Sequence, residues 1–383
     1  MATLETIQIS WRTALMFAIC LPMAVVALML VTRSVERRAN AFLACFLFAV
    51  VLELVPQIIG FSGAYSIWPG LTYFPFETEL YLGALLYLHA WTLMNSAPIG
   101  WRWYLLVPGF LQTAYYSWAF LGLGDYKSKW AYNNSFHEPY LVPIEIILAV
   151  GFVIAALVLI WRMIRQYEQF LSEFHSAKDD YDPVWLRRLS QVSVVMATIF
   201  VSFQLFVLIR GGIEYVTAYP VQLVLASIIG WLGLEALSRT SRPFPKIYKI
   251  VAEPERPEES AGDLLTEDKT FAKDWLQEGK AIKAAVLEGD WFLIPSLSLK
   301  ELAKRMHTNE TYVSRAINLG LGTNFNHFIN QLRIEHAKDL LSRTQDNVLE
   351  VALDSGFNSK STFNRVFREM TGQTPTQYRK SLD

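Results

Sequence analysis

The side chains best suited to specific chemistry lie on two short predicted helices near the carboxy terminus. Each helix combines an apolar stripe with a polar opposite face. In chain order the polar faces carry Glu310, Thr311, Ser314, Arg315 and Asn318, then Lys360, Ser361, Asn364, Arg365 and Arg368. Arginine can hydrogen-bond bidentately to guanine and asparagine to adenine, and each such pair discriminates between bases by ~1–3 kcal/mol. A polar, arginine-bearing second helix in a two-helix unit is what reading the major groove of DNA requires.

A second group of polar residues lies in the amino-terminal half, within strongly apolar sequence. The group comprises Glu53, Glu77, Glu79, His89 and Glu145. Such side chains are costly at membrane depth unless they are satisfied, and they often mark functional sites. We predict a sensor pocket for a cationic or hydrogen-bonding small-molecule signal. The alternative explanation is ordinary hydrogen bonding between helices, and His89 by itself is better explained by packing than by metal binding.

Nothing in the sequence has the pattern of an enzyme. Cys20 and Cys45 lie inside apolar runs, without the spacing of metal ligands or of a disulfide framework. We find no nucleophile triad, no phosphate-binding loop and no metal-ligand motif. We therefore predict that the protein is not an enzyme and uses no metal and no other cofactor.

The apolar residues are unevenly distributed along the chain. Of 383 residues, 52% are hydrophobic and 18% are charged, and the long apolar runs all precede residue 240. A helix that spans a bilayer needs ~20 mostly apolar residues. The stretches that fit are 13–32, 39–60, 76–96, 103–122, 141–161, 189–209 and 216–238. We predict an all-α protein in which residues 1–238 form a polytopic bundle of seven membrane helices.

Basic residues in the connections between these stretches predict the orientation of the bundle. With seven spans and the carboxy terminus in the cytoplasm, thirteen Lys and Arg residues fall on the cytoplasmic side and four fall outside. Cytoplasmic connections of multi-pass proteins carry such an excess. Residues 239–266 follow the last span, contain four prolines and change from basic to acidic. This composition is typical of a solvated linker that starts beside an anionic lipid surface.

Residues 267–383 are predicted to form a domain with two helix-turn-helix units, at about 298–320 and 347–372. Ser298 and Asn347 can begin the first helix of each unit, and each is followed three residues later by a glutamate. This spacing is typical of a capping box. The residues that can cap the two second helices are Asn309 and Ser359.

Five stretches of this tail carry a family resemblance. They are LSLKELAKRM, NETYVSRAI, GTNFNHFINQLRIEHAKDLL, VLEVALDSGF and SKSTFNRVFREMTGQTPTQYR. They lie within residues 297–380, and this region resembles the DNA-binding domain of the AraC/XylS family of bacterial transcription regulators. Ile317 departs from the pattern, because an aromatic residue is usual there. The resemblance does not extend to the membrane half.

The resemblance implies that the two second helices enter successive major grooves on one face of promoter DNA. Position by position, it implies base contacts from Thr311, Ser314 and Arg315 in the first unit, and base or phosphate contacts from Lys360, Ser361, Asn364 and Arg365 in the second. Residues 296–383 carry a net charge of only +3. Affinity is therefore expected to depend on groove fit and on pairing as a homodimer, as well as on counterion release.

These observations together predict a membrane-bound transcription regulator. It would lie in the bacterial inner membrane, in contact with the lipid bilayer, with the amino terminus outside and the DNA-binding domain in the cytoplasm. Two alternatives remain. The bundle could be a transporter or membrane enzyme whose tail provides feedback control, or it could be a passive anchor that only places the tail at the membrane.

Overall fold

The computed structural model describes residues 10–176, 184–210, 215–238, 244–247 and 274–382. Most of the predicted linker and the start of the predicted tail domain lie outside these residues. The described residues form helices and connecting turns, with no strand among them. The predicted all-α fold class is confirmed.

The chain divides into two compact units, and neither is continuous in sequence. The first comprises Met1–Ile164 and Pro183–Lys246, and the second comprises Arg165–Asp182 and Ile247–Asp383. The second unit therefore includes a segment that precedes the last two predicted spans. This segment was not part of the predicted tail domain.

The helices of the amino-terminal part overlap the predicted spans, and two short connecting helices lie between them. They are α1 (Trp11–Thr32), α2 (Arg37–Phe61), α3 (Ala64–Ile67), α4 (Glu79–Met94), α5 (Val107–Gly122), α6 (Tyr126–Tyr132), α7 (Val142–Phe174), α8 (Val184–Arg210) and α9 (Tyr215–Ser238). A 3₁₀ segment, Gly100–Leu106, leads directly into α5. Most of the helix-to-helix contact within the bundle involves α2, which packs against α1 and α4.

Five of these helices are long and apolar enough to cross a membrane, compared with seven predicted spans. The two that fall short are α4 and α5, each with 16 residues. At 1.5 Å per residue such a helix is about 24 Å long, which is less than the ~30 Å hydrocarbon core. The structure therefore supports five spans by length and composition, and α4 and α5 are marginal.

Hydrogen bonds at one end of the bundle join helix ends that are distant in sequence. The Ser10 hydroxyl donates to the carbonyl of Phe61 (3.3 Å), and the Tyr219 hydroxyl donates to the carbonyl of Arg12 (2.9 Å). The start of α1, the end of α2 and the start of α9 therefore lie together.

The opposite helix ends are joined in the same way. Lys246 Nζ lies 2.9 Å from the carboxylate of Glu36, in the connection between α1 and α2, and donates to the Thr92 carbonyl at the end of α4 (3.1 Å). Arg188 at the start of α8 pairs with Glu235 at the end of α9 (3.2 Å). These contacts gather the α1–α2 connection, the end of α4 and the residues after α9.

The carboxy-terminal domain consists of seven helices among the described residues. They are α10 (Trp275–Glu288), α11 (Leu299–Arg305), α12 (Glu310–Arg315), α13 (Phe325–Arg343), α14 (Val348–Asp354), α15 (Lys360–Thr371) and α16 (Pro375–Lys380). The predicted apolar stripe of α15 is confirmed, because Phe363, Val366 and Phe367 are buried in one core with residues of α13 and α14. Helix α10 was not predicted from the sequence, although Asp274 caps it and Ile282 and Val286 have the spacing of a buried helical face.

Candidate nucleic-acid interface and membrane cavity

The first helix-turn-helix unit is built from α11 and α12. Ser298 Oγ accepts from the Glu301 N–H (3.2 Å), so the predicted cap of α11 forms. The reciprocal half of the predicted capping box does not, because the Glu301 carboxylate pairs with Arg305 (3.1 Å). Asn309 caps α12 by accepting from the N–H of Tyr312 (2.8 Å).

The predicted base-reading side chains of this unit lie on the side of α12 away from the core. Val313 and Ile317 are fully buried, Arg315 is exposed, and Thr311 and Ser314 are partly exposed. The helical path continues through a π turn at Ala316–Gly320. The departure at Ile317 therefore leaves an apolar residue in the core. The three polar residues share a surface from which they can reach a groove.

The second unit repeats this construction with α14 and α15. Asn347 and Glu350 form the predicted capping box at the start of α14, and Ser359 Oγ accepts from the N–H of Thr362 at the start of α15 (3.2 Å). Lys360, Ser361 and Arg365 are exposed on α15 and Asn364 is partly exposed. The last helix begins with a capping box between Thr374 and Gln377 and has Pro375 at its first position.

Two polar groups on α15 bear on its readiness to bind DNA. Arg365 NH1 lies 2.7 Å from the carboxylate of Glu369 one turn later. Exposed pairs of this kind contribute only ~0.2–1 kcal/mol, so a phosphate or a guanine can displace Glu369. The side-chain oxygen of Asn364 is buried without a hydrogen-bond partner among the described residues.

The unpredicted helix α10 is held against α12. The Tyr312 hydroxyl donates to the Glu278 carboxylate, and this bond is the main reason why the pKa of Tyr312 is raised to about 12. A Cβ at Gly320 would collide with the carbonyl of Trp275, so the residue there must be glycine for the backbones to approach so closely. Helix α10 therefore supports the first recognition helix from behind.

In the first compact unit, which contains the bundle, four of the five predicted pocket residues lie around two neighbouring cavities. Glu53, Glu77 and Glu79 line a mostly apolar cavity of about 420 Å³. Glu77, Glu79 and Glu145 line a more polar cavity of about 270 Å³. His89 lines neither. It is buried, and its Nδ1 lies 2.7 Å from the carbonyl of Ala39, which is the packing role that the sequence favoured.

The three glutamates at the junction of the cavities face one another. One carboxylate oxygen from each of Glu53, Glu77 and Glu79 lies within 4.8 Å of the others. The Thr78 hydroxyl donates to Glu53 (2.8 Å), and the Gln112 side-chain amide donates to Glu79 (2.8 Å). Oxygen ligands at such separations could hold a hard cation. The sequence had no metal-ligand motif, because these residues become neighbours only where α2 and the start of α4 meet.

Tyrosines enclose the smaller cavity. The Tyr116 hydroxyl donates to Glu145 (3.0 Å), and Tyr73 packs against Tyr116 and against the ring of His137. Tyr73, Tyr116 and His137 were not among the predicted pocket residues. Their apolar context gave them the pattern of ordinary interfacial aromatic residues, and nothing in their spacing brings them together.

Comparisons with known proteins concern the carboxy-terminal part. Residues 302–381 match a family described as a helix-turn-helix domain. An uncharacterized HTH-type transcriptional regulator of Staphylococcus aureus is 43% identical over 83 residues, which are 22% of this chain and 11% of that protein. The melibiose operon regulatory protein of Escherichia coli is 32% identical over 85 residues, again 22% of this chain and 28% of that protein. The chain thus spans about a tenth to a quarter of the length of these curated relatives.

Two solved structures are also similar. A protein of unknown function from Listeria innocua is 31% identical, with 27% of this chain and 96% of that chain covered and a TM-score of 0.25. The carboxy-terminal domain of AraT, a response regulator from Geobacillus stearothermophilus, is 26% identical, with 29% and 86% covered and the same TM-score. A TM-score of this size carries no weight for the fold. The capped two-helix units and the matched family together identify residues 302–381 as a helix-turn-helix domain, similar to those of the AraC type.

Proposed function

We propose that the protein is a membrane-bound, sequence-specific regulator of transcription. The observation that carries this proposal is the pair of capped, polar-faced helices α12 and α15, each backed by a buried apolar core. Promoter DNA is the proposed partner. The relatives named as transcription regulators support it, since their similarity falls on this domain.

The two arginines provide the most direct test of DNA binding. The full chain, purified in lipid nanodiscs, should bind its promoter fragments in a gel-shift assay. Arg315→Ala combined with Arg365→Ala should weaken specific binding roughly thirtyfold or more, because each base contact discriminates by ~1–3 kcal/mol. Arg343→Ala is the matched control, since Arg343 is also exposed but pairs with Asp339 on α13. Equal affinity of the double variant and the control would reject the proposed roles.

We further propose that the bundle crosses the inner membrane with its amino terminus outside and its carboxy terminus in the cytoplasm. Five spans and seven spans are both odd numbers, so either count places the two termini on opposite sides. The grouping of helix ends supports this, because the residues after α9 gather with the basic α1–α2 connection through Lys246 and Glu36. A reporter enzyme that works only in the cytoplasm should be active when it is fused to the carboxy terminus, and a reporter that works only outside should be inactive there.

The bundle is proposed to sense its signal at the carboxylates. Glu53, Glu77 and Glu79 repel one another when ionised, and a cation or a multiple hydrogen-bond donor would relieve that repulsion. A ligand bound there would touch α2 and α4, and its binding could shift an equilibrium between two arrangements of the bundle.

The sensing role can be tested without knowing the signal. Genome-wide DNA crosslinking of the intact protein should give the same sites but altered occupancy for Glu53→Gln and Glu145→Gln. The control is Glu138→Gln, which removes an exposed carboxylate. Unchanged occupancy in both variants would favour a passive anchor. Substrate flux into proteoliposomes would favour a transporter.

A further inference from the structure

The second compact unit, which contains the carboxy-terminal domain, includes a segment that is distant from the rest of it in sequence. Arg165–Asp182 belongs to this unit, and its described part is the end of α7 with the two residues that follow. The buried apolar side chains of this part are Tyr167, Phe170, Leu171 and Phe174. Their spacing puts them on one face of the helix. The end of α7 is thus part of the packed domain.

The two residues after α7 pair with the chain that begins the first helix-turn-helix unit. The Ser176 N–H and hydroxyl both donate to the Leu297 carbonyl, at 3.0 and 2.7 Å. His175 forms an antiparallel bridge with Ser298. Because Ser298 is the residue that caps α11, this pairing reaches the first residue of the unit.

Helix α13 contacts the same two residues through an asparagine. The side-chain amide of Asn326 donates to the carbonyls of His175 (3.0 Å) and Ser176 (2.8 Å). Its oxygen accepts from the side chain of Asn330 (3.1 Å), which holds the amide in this orientation. Both carbonyls just past the end of α7 therefore have a partner on α13.

A buried arginine completes the contact. Arg333 is 1% exposed, and its guanidinium donates to the carbonyls of Phe292 (2.7 Å) and Ile294 (2.8 Å). It also donates to Ser176 Oγ (3.2 Å). A buried cation needs its hydrogen bonds satisfied. Leu297, Asn326 and Arg333 therefore form a specific hydrogen-bonding surface for residues 175 and 176.

We propose that residues 165–176 are an anchor that docks the DNA-binding domain onto the end of α7, so that a displacement of α7 acts directly on the first helix-turn-helix unit. A solvated linker of about 28 residues, as predicted from the sequence, would absorb a shift of a few ångströms, whereas a helix with a hydrogen-bonded end transmits it. The inference rests on the proposed function only in taking α7 as a membrane span. The docking itself does not depend on DNA binding.

The test separates this contact from the linker. A protease site is inserted between Glu259 and Ser260 of the full chain in neutral phosphatidylcholine vesicles, and the site is then cleaved. Moderate salt, about 0.3 M, screens attraction between the tail and the membrane surface. The cleaved wild-type tail should sediment with the vesicles. Ser176→Ala combined with Asn326→Ala should raise the released fraction roughly tenfold or more, because each lost bond weakens docking by up to about tenfold.

The matched control is Ser342→Ala, since the exposed hydroxyl of Ser342 bonds only to the carbonyl of Asp339 on its own helix. Its tail should be retained like the wild type. Release of the wild-type tail on cleavage would overturn the proposal. A gel-shift assay on the released tail measures DNA binding independently of docking. Loss of docking and loss of the proposed function are therefore distinguishable.

A disulfide gives a second measurement of the same contact. Residues opposite each other in an antiparallel pair lie about 4.5–5.5 Å apart at Cα, which suits a disulfide. The His175→Cys/Ser298→Cys pair should join the two fragments after cleavage, and reductant should separate them. The His175→Cys/Ser361→Cys pair should not join them. Retention of both the wild-type and the Ser176→Ala/Asn326→Ala tails without this disulfide would also overturn the proposal.

Discussion

The two parts of the chain contain similar apolar residues but place them oppositely. In the carboxy-terminal domain the large apolar side chains of α15 point inward, and Phe363 is 0% exposed. In the bundle, Leu121 and Phe110 on α5 are 79% and 61% exposed, while Gln112 on the same helix is buried and hydrogen-bonded to Glu79. Water selects the first arrangement, whereas a hydrocarbon solvent selects the second. Exposed apolar faces and buried polar groups therefore support membrane insertion more directly than the count of spans does.

The largest expected effect comes from making the same substitution, phenylalanine to alanine, in each of the two parts. Phe363→Ala should destabilise the carboxy-terminal domain by about 3–5 kcal/mol, because it leaves a cavity in the core. Phe110→Ala should change stability less, because the Phe110 ring is mostly exposed and has one aromatic neighbour, Tyr81, rather than a closed protein core around it. Denaturant unfolding of the full chain in nanodiscs measures both. Comparable losses would mean that Phe110 packs against protein.

A slightly smaller effect is expected when an arginine replaces an exposed leucine in each of the two parts. Leu21→Arg, in the middle of α1, should impair insertion by ~2.5–3.5 kcal/mol if α1 crosses the bilayer. Leu353→Arg, on an exposed part of α14, should cost little, because water solvates the guanidinium. Carbonate extraction of membranes measures the inserted fraction. If both variants insert like the wild type, α1 does not face lipid.

The smallest expected effect concerns the DNA-binding surface alone. Glu369→Gln removes the carboxylate paired with Arg365 and a negative charge near DNA. Promoter affinity should rise by roughly two- to fivefold, in line with ~0.2–1 kcal/mol for an exposed pair. Glu335→Gln is the control, because it removes an equivalent exposed partner from Lys338 on α13. Equal changes in the two variants would show a general charge effect.

Local signals explain why so much of the tail could be predicted. A capping residue and an apolar stripe act within one helix, so Asn347 and Ser359 could be assigned before any contact was known. Only half of the predicted capping box at Ser298 forms, because the Glu301 carboxylate pairs with Arg305 instead of the backbone N–H of Ser298. The lengths of α4 and α5 failed for another reason: hydropathy does not show where a helix ends when apolar turns follow it.

The amino-acid sequence alone determined the helical class, the apolar and soluble halves, and the polar faces of the two recognition helices, because each depends on periodicity and capping within a short window. The tertiary structure alone decided which distant residues meet. It brought Glu53 to Glu79 at the cavity, Glu278 to Tyr312 behind α12, and Ser176 to Arg333 at the end of α7. Such contacts depend on how helices pack, and sequence spacing carries no record of that packing.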